Sequence, residues 1–323
     1  MKITFDKFKK ILLEDSSSIY DKYEDILCEV FEVDDISEIT KQQYNQIISD
    51  YKNGTLNEHD SSLLEDVADL VFKAANENGY NVVAHHGTTK KFSEFKYGDI
   101  GFHLGTLEQA KLAANVHKYE DSRLYPKTIY LNTAISLHNP LVIEDDLGSW
   151  TPYTIIYNIV EFVLRDFIDK ANDHFMLGYT ITPKTLLKND EVYNFVEKEI
   201  ENVNLHYGMN TDGIDNEEAA SFMFMHHDLK FSLKEIIKLH YTVDDDIKKK
   251  AIVDRMKSLG YDGIKYLNKY ELFSDEEIGD YSYIVLNANQ IKNCEVISFK
   301  DGKIVPLENR FNRKTNNLFE TNG

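Results

Sequence analysis

Histidine, glycine and threonine meet twice within a short stretch of this chain. Asn81-Val-Val-Ala-His-His-Gly-Thr-Thr-Lys-Lys-Phe92 places His86-Gly87-Thr88 directly after an apolar run. Gly101-Phe-His-Leu-Gly-Thr106 then adds a second glycine-flanked polar cluster ahead of a helix-like segment. A glycine lets the main chain approach a ligand where any side chain would collide. His86, Thr88, His103 and Thr106, set beside Gly87, Gly101 and Gly105, supply directional donors and acceptors. Together they make the pattern of a nucleotide cradle.

Two other clusters could do chemistry and read better as structure. His226-His227 with Met223 and Met225 suggests a metal site, but adjacent histidines on one helix point about 100 degrees apart and no further ligands are near in sequence. A packed helix is expected there, and no metal. Asp244-Asp-Asp246 lacks the spacing and glycine of a calcium loop, so it reads as a helix start with acids at the positive end.

Composition narrows the partners. The chain has 323 residues, 42% hydrophobic and 28% charged, enough to bury a sizeable core in one large or two modest domains. With 55 acidic against 36 basic residues and a formal net charge of -19, broad binding to a phosphate backbone is disfavoured. A protein acceptor is therefore favoured over nucleic acid. The longest apolar candidate, Ile155 to Leu164, is interrupted by Tyr157, Asn158 and Glu161, so no membrane span is expected. Cys28 and Cys294, far apart in sequence, fit a reducing cytoplasm.

The elements that must position the cradle are legible from periodicity. Phe5, Phe8, Ile11 and Leu12 fall on one face of an N-terminal amphipathic helix. The same segment resembles the short capsid-targeting peptides of tailed-phage internal proteins, which end in Leu-x-Glu, as Leu12-Leu-Glu14 does here. Helix spacing continues through Ile26, Val30 and Phe31, and through Leu63 to Ala74, with Asp60-Ser61-Ser62 as candidate caps and Asn78-Gly79 as the stop. Strands are expected at Asn81 to Ala84, Thr128 to Ile135, Gly263 to Asn268 and Tyr283 to Leu286. A terminal hairpin, Val296 to Val305, turns at Asp301-Gly302. Helices at Ile155–Ile168, Val192–Ile200, Glu217–Met225, Leu233–Leu239 and Ile247–Leu259 lie between the strand groups. The expectation is an α+β fold. It divides into a helical N-terminal region over 1–78, a domain over 79–308 with a helical insertion at about 151–255, and a polar, disordered tail over 309–323.

Taken in order, the motifs resemble a known family. His86-Gly87-Thr88 with Phe92 and Phe95, Gly101-Phe-His-Leu-Gly-Thr106, Asn139-Pro-Leu141 with Asp145 and Trp150, Gly260-Tyr-Asp-Gly-Ile264, and Ser282-Tyr-Ile-Val-Leu-Asn-Ala-Asn-Gln-Ile291 follow the sequence seen in ADP-ribosyltransferases. The resemblance is to the branch found in phage and mobile-element polyvalent proteins, related to diphtheria toxin and the poly(ADP-ribose) polymerases. It covers residues 80–150 and 255–300.

The resemblance implies a split β-sandwich that holds NAD between two small sheets. In that pattern His86 bonds the adenine-side ribose, the Gly87 main chain holds the nicotinamide carboxamide and Thr88 supports both. Gly101, Phe102, Gly105 and Thr106 form the second part of the cofactor site, and His103 stands where the polymerases place a nicotinamide-stacking tyrosine. Ser282 stands where they place the catalytic glutamate. Breaking the nicotinamide–ribose bond passes through an oxocarbenium-like state that a carboxylate stabilises, and serine cannot supply that charge. The preceding loop offers Glu271, Glu276, Glu277 and Asp280; Glu271 is favoured because Tyr266-Leu-Asn-Lys-Tyr-Glu271 matches the Tyr-x-Asn-x-x-Glu of similar phage sequences. Gln290 matches the Gln-Ile-Lys that follows the strand, as a cofactor-side or a structural residue.

The expected activity is transfer of ADP-ribose from NAD to a host macromolecule, a protein by preference, in the role of a phage host-takeover or toxin-like effector in the bacterial cytoplasm. The alternatives are an NAD glycohydrolase on the same site and a non-catalytic binding or internal virion protein on a decayed transferase scaffold.

Overall fold

The computed structural model describes residues 18–89, 92–96, 98–120, 129–144, 147–176, 179–203, 216–268 and 280–319, so the amphipathic segment at residues 1–14 lies outside the described residues. Among the described residues three α-helices come first: α1 (Ile19–Phe31), α2 (Lys41–Lys52) and α3 (Glu58–Glu77). Each start is fixed by a side chain that accepts from a main-chain N–H lacking a helical partner, with Ser18, Thr40 and Asn57 accepting from Asp21, Gln43 and Asp60. The cap of α3 is thus Asn57 and not the expected Asp60-Ser61-Ser62. Asp60 occupies the third helical position, where its carboxylate meets the positive helix end. Asn78 and Gly79, the latter at a φ of 80°, end α3 as expected.

The first strand, β1 (Val82–Thr88), runs past the apolar tetrapeptide and carries His86-Gly87-Thr88 within it, not in a turn after it. Pairing is the cause. Antiparallel β3 (Ile129–Ile135) matches β1 residue for residue from Val82↔Ile135 to Thr88↔Ile129. β7 (Ile291–Asn293) completes a three-stranded sheet ordered β1-β3-β7, which leaves β1 at an edge. A second sheet, ordered β2-β6-β5-β4, is built from β2 (Phe102–Leu104), β4 (Pro140–Ile143), β5 (Gly263–Leu267) and β6 (Tyr281–Val285). Helix α4 (Leu107–Glu120) connects β2 to β3 and packs on β1.

Within the second sheet β4 and β5 are parallel. Parallel neighbours cannot be joined by a hairpin and need a long crossover, and the helical insertion is that crossover. It comprises α5 (Pro152–Asn158), α6 (Leu164–Phe175), α7 (Pro183–Leu186), α8 (Asp190–Val203), α9 (Asn216–Phe222), α10 (Leu233–His240) and α11 (Asp245–Ser258). The helix expected over Ile155–Ile168 is broken by a π-helical turn at Ile159–Val163, and a second such turn at Met223–Asp228 extends α9. The insertion shares one core with the sheet it bridges: Ile155, Val160, Phe167 and Phe224 are buried together with Leu141, Ile143, Ile264 and Ile284. The fold is α+β.

The helical N-terminal region and the chain's end also share a core. Leu27, Val67, Leu70 and Val71 pack with Ile297, Leu307 and Phe311. The expected hairpin forms as β8 (Phe299–Lys300) and β9 (Lys303–Ile304), with Asp301 and Gly302 at φ of 51° and 81° in its turn. The tail expected to be disordered from residue 309 is packed as far as residue 319. Its low hydrophobicity hides a few decisive contacts: Arg310, Phe311 and Leu318 are buried. Lys292 Nζ, itself buried, donates to the carbonyls of Thr315 and Asn317.

Arg310 is the fastener of this region. Fully buried, it donates to the carbonyls of Val305 at 3.1 Å and Glu295 at 2.8 Å and to the Tyr23 hydroxyl, and Tyr23 in turn donates to the Val296 carbonyl at 2.9 Å. Removing the guanidinium strands several buried acceptors at once, whereas removing the Tyr23 hydroxyl strands fewer. In urea denaturation, Arg310→Ala is expected to lose about 3 kcal/mol of stability and Tyr23→Phe about 1 kcal/mol. A smaller loss for Arg310→Ala than for Tyr23→Phe would contradict this assignment.

Candidate functional site

An isolated bridge joins the main chains of the two sheet regions. The His85 N–H donates to the Gly105 carbonyl at 2.8 Å, and the Gly105 N–H returns the bond to His85 at 3.0 Å. Beside the bridge a cavity of about 990 Å³ lies between β1, β2, α4 and the β5–β6 pair. His86, Gly87, Gly101, Phe102, His103, Gly105 and Ser282 all line it. These seven come from three separate stretches of chain, and the β2–β6 pairing, with His103 opposite Ile284, brings the third to the first two.

Strand geometry decides what β1 offers the cavity. Alternate residues of a strand direct their main-chain groups to opposite edges. Because His85 bonds Gly105 across the outer edge, the N–H and C=O of Gly87 face the same edge, toward the cavity. His86 turns its ring to the other face of the strand from His85. There it packs edge-on against Phe95 and Phe92, with centroids at 4.9 and 5.9 Å, and its Nδ1 lies 3.0 Å from the His103 carbonyl. A carbonyl only accepts, so the network assigns the proton to His86 Nδ1. His85 is held by a chain of bonds under the sheet: its Nδ1 donates to Asn132 Oδ1 at 2.8 Å, and Asn132 Nδ2 donates to Glu295 Oε1 at 2.8 Å. Burial pushes the Glu295 carboxyl up and the His85 imidazole down from their ordinary ranges.

His103 is the most perturbed group of the cavity. About 34% of its side chain is open, but its Nε2 is sealed and without a hydrogen-bond partner among the described residues. Asp99 Oδ2 stands 3.8 Å from that nitrogen, and the Tyr266 hydroxyl 3.5 Å from Nδ1. Burial lowers the imidazole pKa to about 4, against the opposing pull of the Asp99 carboxylate.

The glycines have a different reason from the one their sequence suggests. A Cβ on Gly87 would lie 1.8 Å from the Ala110 carbonyl oxygen, and one on Gly101 would lie 2.3 Å from the carbonyl oxygen of Val285. One on Gly105 would meet Gln109 Oε1 at 2.3 Å. The space each leaves is filled by the protein itself, so these glycines seat α4 and β6 against the strands. The walls of the cavity come this close because these residues lack a Cβ.

Ser282 is likewise committed to the walls. Its buried hydroxyl accepts from Asn268 Nδ2 at 3.0 Å and donates to Gln109 Oε1 at 3.1 Å. Gln109 Oε1 also accepts from the Thr106 N–H at 2.8 Å, while the Gln109 N–H bonds Thr106 Oγ1, a reciprocal cap that starts α4. Thr106 is therefore a helix cap and does not line the cavity. Gln290 is structural: its Oε1 accepts from the N–H groups of Leu286 and Asn287, and its Nε2 donates to the carbonyls of Ser136 and Asp262. Thr88 closes β1 opposite Ile129, outside the lining. Glu271, Glu276 and Glu277 lie outside the described residues, as does Asp145. The flanking Asn268 and Asp280 are joined by a main-chain bond of 3.1 Å beside Ser282.

Asp99, Gln109, Asn268 and Tyr266 join the site only in the fold. Only Gln109 had a signal, in the Thr106-x-x-Gln109 capping box. His226 stacks on Phe222 with centroids 4.8 Å apart, and His227 pairs with Asp228 at 3.0 Å, as suits a packed helix. Among the described residues no group of three His, Cys, Asp or Glu side chains could hold a metal ion, and no helix is long and apolar enough to cross a membrane. Cys28 and Cys294 are free thiols, and burial pushes Cys294 up to about 12.

The His103 environment sets a pH dependence. Its folded pKa lies below the unfolded value near 6.5, so between pH 6.5 and about 4 the unfolded chain binds the proton more readily and stability falls on acidification. Urea midpoints across that window are expected to fall less steeply for His103→Gln than for the parent chain. Parallel curves would show that His103 titrates normally in the fold.

Comparison with protein-family models, with curated proteins and with solved structures finds no match to this chain, and the reading of the cavity rests on its own residues.

Proposed function

We propose that the cavity binds NAD and that the protein is a mono-ADP-ribosyltransferase acting on a macromolecular acceptor. The observation that supports the reading is convergence: residues of three motifs that resemble parts of an NAD cleft line one cavity beside an edge strand. The two-sheet plan is compatible with the split β-sandwich that the resemblance implies. In this reading the outward main-chain groups of Gly87 bond the carboxamide and His86 bonds the adenine-side ribose. Phe92, Phe95 and Phe102, which pack in series with centroids 4.8 and 5.3 Å apart, give the aromatic wall. Lys96 is a cation at the rim of the lining, suited to the pyrophosphate.

The carboxylate that stabilises the oxocarbenium-like state is assigned to Glu271, three residues beyond the anchored Asn268. The fixed hydrogen bonds of Ser282 exclude it from that role and make it part of the floor. The same observation favours a second reading, a binding protein on a transferase scaffold that has lost its acid at this position. A net charge of -19 favours a basic protein surface as the acceptor.

Incubation of a bacterial lysate with the purified chain and adenylate-labelled NAD tests the reading. Labelled protein and free nicotinamide are expected, with labelling reduced about 10-fold in His86→Ala and about 100-fold in Glu271→Gln. Nicotinamide without labelled acceptor would indicate a glycohydrolase. Binding of NAD without turnover would indicate the scaffold reading, and labelling that persists in both variants would overturn the site assignment.

A further inference from the structure

Within the cavity, three side chains from separate elements line up around one imidazole. Tyr266 of β5 stands 3.5 Å from His103 Nδ1, and Asp99, in the loop before β2, stands 3.8 Å from His103 Nε2. All three line the cavity. Tyr266 is held by its ring, which packs on Trp150 at a centroid distance of 4.8 Å, while Trp150 packs on Phe224 of the insertion at 5.6 Å. The Asp99 carboxylate is about half exposed, and a tight approach of Gly98 to the Gly101 carbonyl shapes its loop. Lys249 of α11 donates to the Gly98 carbonyl and ties that loop to the insertion.

Electrostatics selects one tautomer of this ring. A carboxylate repels a nitrogen lone pair and attracts an N–H, so with Asp99 facing Nε2 the neutral ring carries its proton there. Nδ1 is then the acceptor, and the Tyr266 hydroxyl donates to it. The main-chain carbonyl of His103 is already engaged by His86, which fixes the backbone at this point. Both contacts are longer than good hydrogen bonds. Such catalytic contacts are often long in the free protein and tighten around bound ligand.

We propose that Tyr266, His103 and Asp99 form a proton relay that takes up the proton lost by the acceptor during transfer. This rests on the reading of the cavity as an NAD site. In the step, the acceptor's oxygen or nitrogen forms a bond to the ribose C1′ as the bond from C1′ to the nicotinamide nitrogen breaks, and nicotinamide leaves as a neutral molecule with that electron pair. The acceptor's proton passes to the Tyr266 oxygen while the Tyr266 proton passes to His103 Nδ1. The resulting imidazolium faces Asp99 through Nε2–H, and its proton is released to solvent afterwards. Tyr266 and His103 are the catalytic members, and Asp99 is the positioning residue that fixes the ring and offsets its charge.

The test has two arms on the full chain. In the first, nitrogen-15 NMR of the free protein reads the His103 tautomer: the parent is expected to carry the proton on Nε2, Asp99→Asn to keep it there because the amide oxygen still accepts, and Asp99→Ala to give a mixture. An unchanged tautomer in Asp99→Ala would overturn the inference. In the second, Tyr266→Phe, which keeps the ring packing on Trp150, and Asp99→Asn are each expected to lower kcat about 100-fold with KM for NAD within about twofold. Full kcat in both would also overturn it. If the parent chain shows no NAD turnover, the NAD reading fails, and the tautomer arm still decides the role of Asp99 on its own.

Discussion

A single pair of main-chain hydrogen bonds, exchanged between His85 and Gly105, is the constraint on which the site depends. It joins the edge of the three-stranded sheet to the loop that ends β2. It also sets which edge of β1 each residue addresses. Had the pairing slipped by one residue, the main-chain groups of His86 would face the cavity and those of Gly87 would be spent on β3. A register shift of that kind would exchange every role along the strand.

Around this bridge the walls are held by contacts that leave little room for adjustment. Gly87 and Gly101 let α4 and β6 approach to distances that a methyl group would prevent. Gln109 gathers Thr106 and Ser282 on one oxygen, and its Nε2 donates to the Asp280 carbonyl at 3.3 Å. The buried network thereby ties the start of α4, the floor of β6 and an end of the acidic loop into one unit. A buried amide of this kind is rigid because each of its partners would be left unsatisfied if it moved. The helical insertion contributes Phe224, which packs on Trp150 and so begins a line of rings that passes through Tyr266 of β5 to His103.

Much of the fold was legible in the chain. Helical periodicity located most helices of the insertion, though not Pro183–Leu186, and Asp301-Gly302 located the last hairpin, because both signals are local. Non-local pairing was not legible. The extension of β1 through Thr88 follows from β3, some forty residues away, and no local feature of His86-Gly87-Thr88 announces it. The polar tail misled for a similar reason: mean composition hides a buried Arg310, bonded to Tyr23, and a buried Leu318, whose main chain bonds Ser93 and Asn293. For the site, residue types located part of the lining but not its reasons, and Thr88, Thr106 and Gln290 fall outside it. Gly87, Gly101 and Gly105 looked like openings for a ligand and prove to be seats for protein atoms. Asp99 and Asn268 could not be singled out, since a lone acid or amide in a loop carries no pattern until its neighbours in space are known.

We propose the space between β1 and the β5–β6 pair as an NAD site. A crystal structure with a non-hydrolysable NAD analogue tests it most directly. Ligand density is expected along the outer edge of β1, with the carboxamide bonded to the main chain of Gly87 and a ribose hydroxyl within about 3 Å of the His86 ring. Density at another surface, or no density in this cavity at saturating analogue, would contradict it.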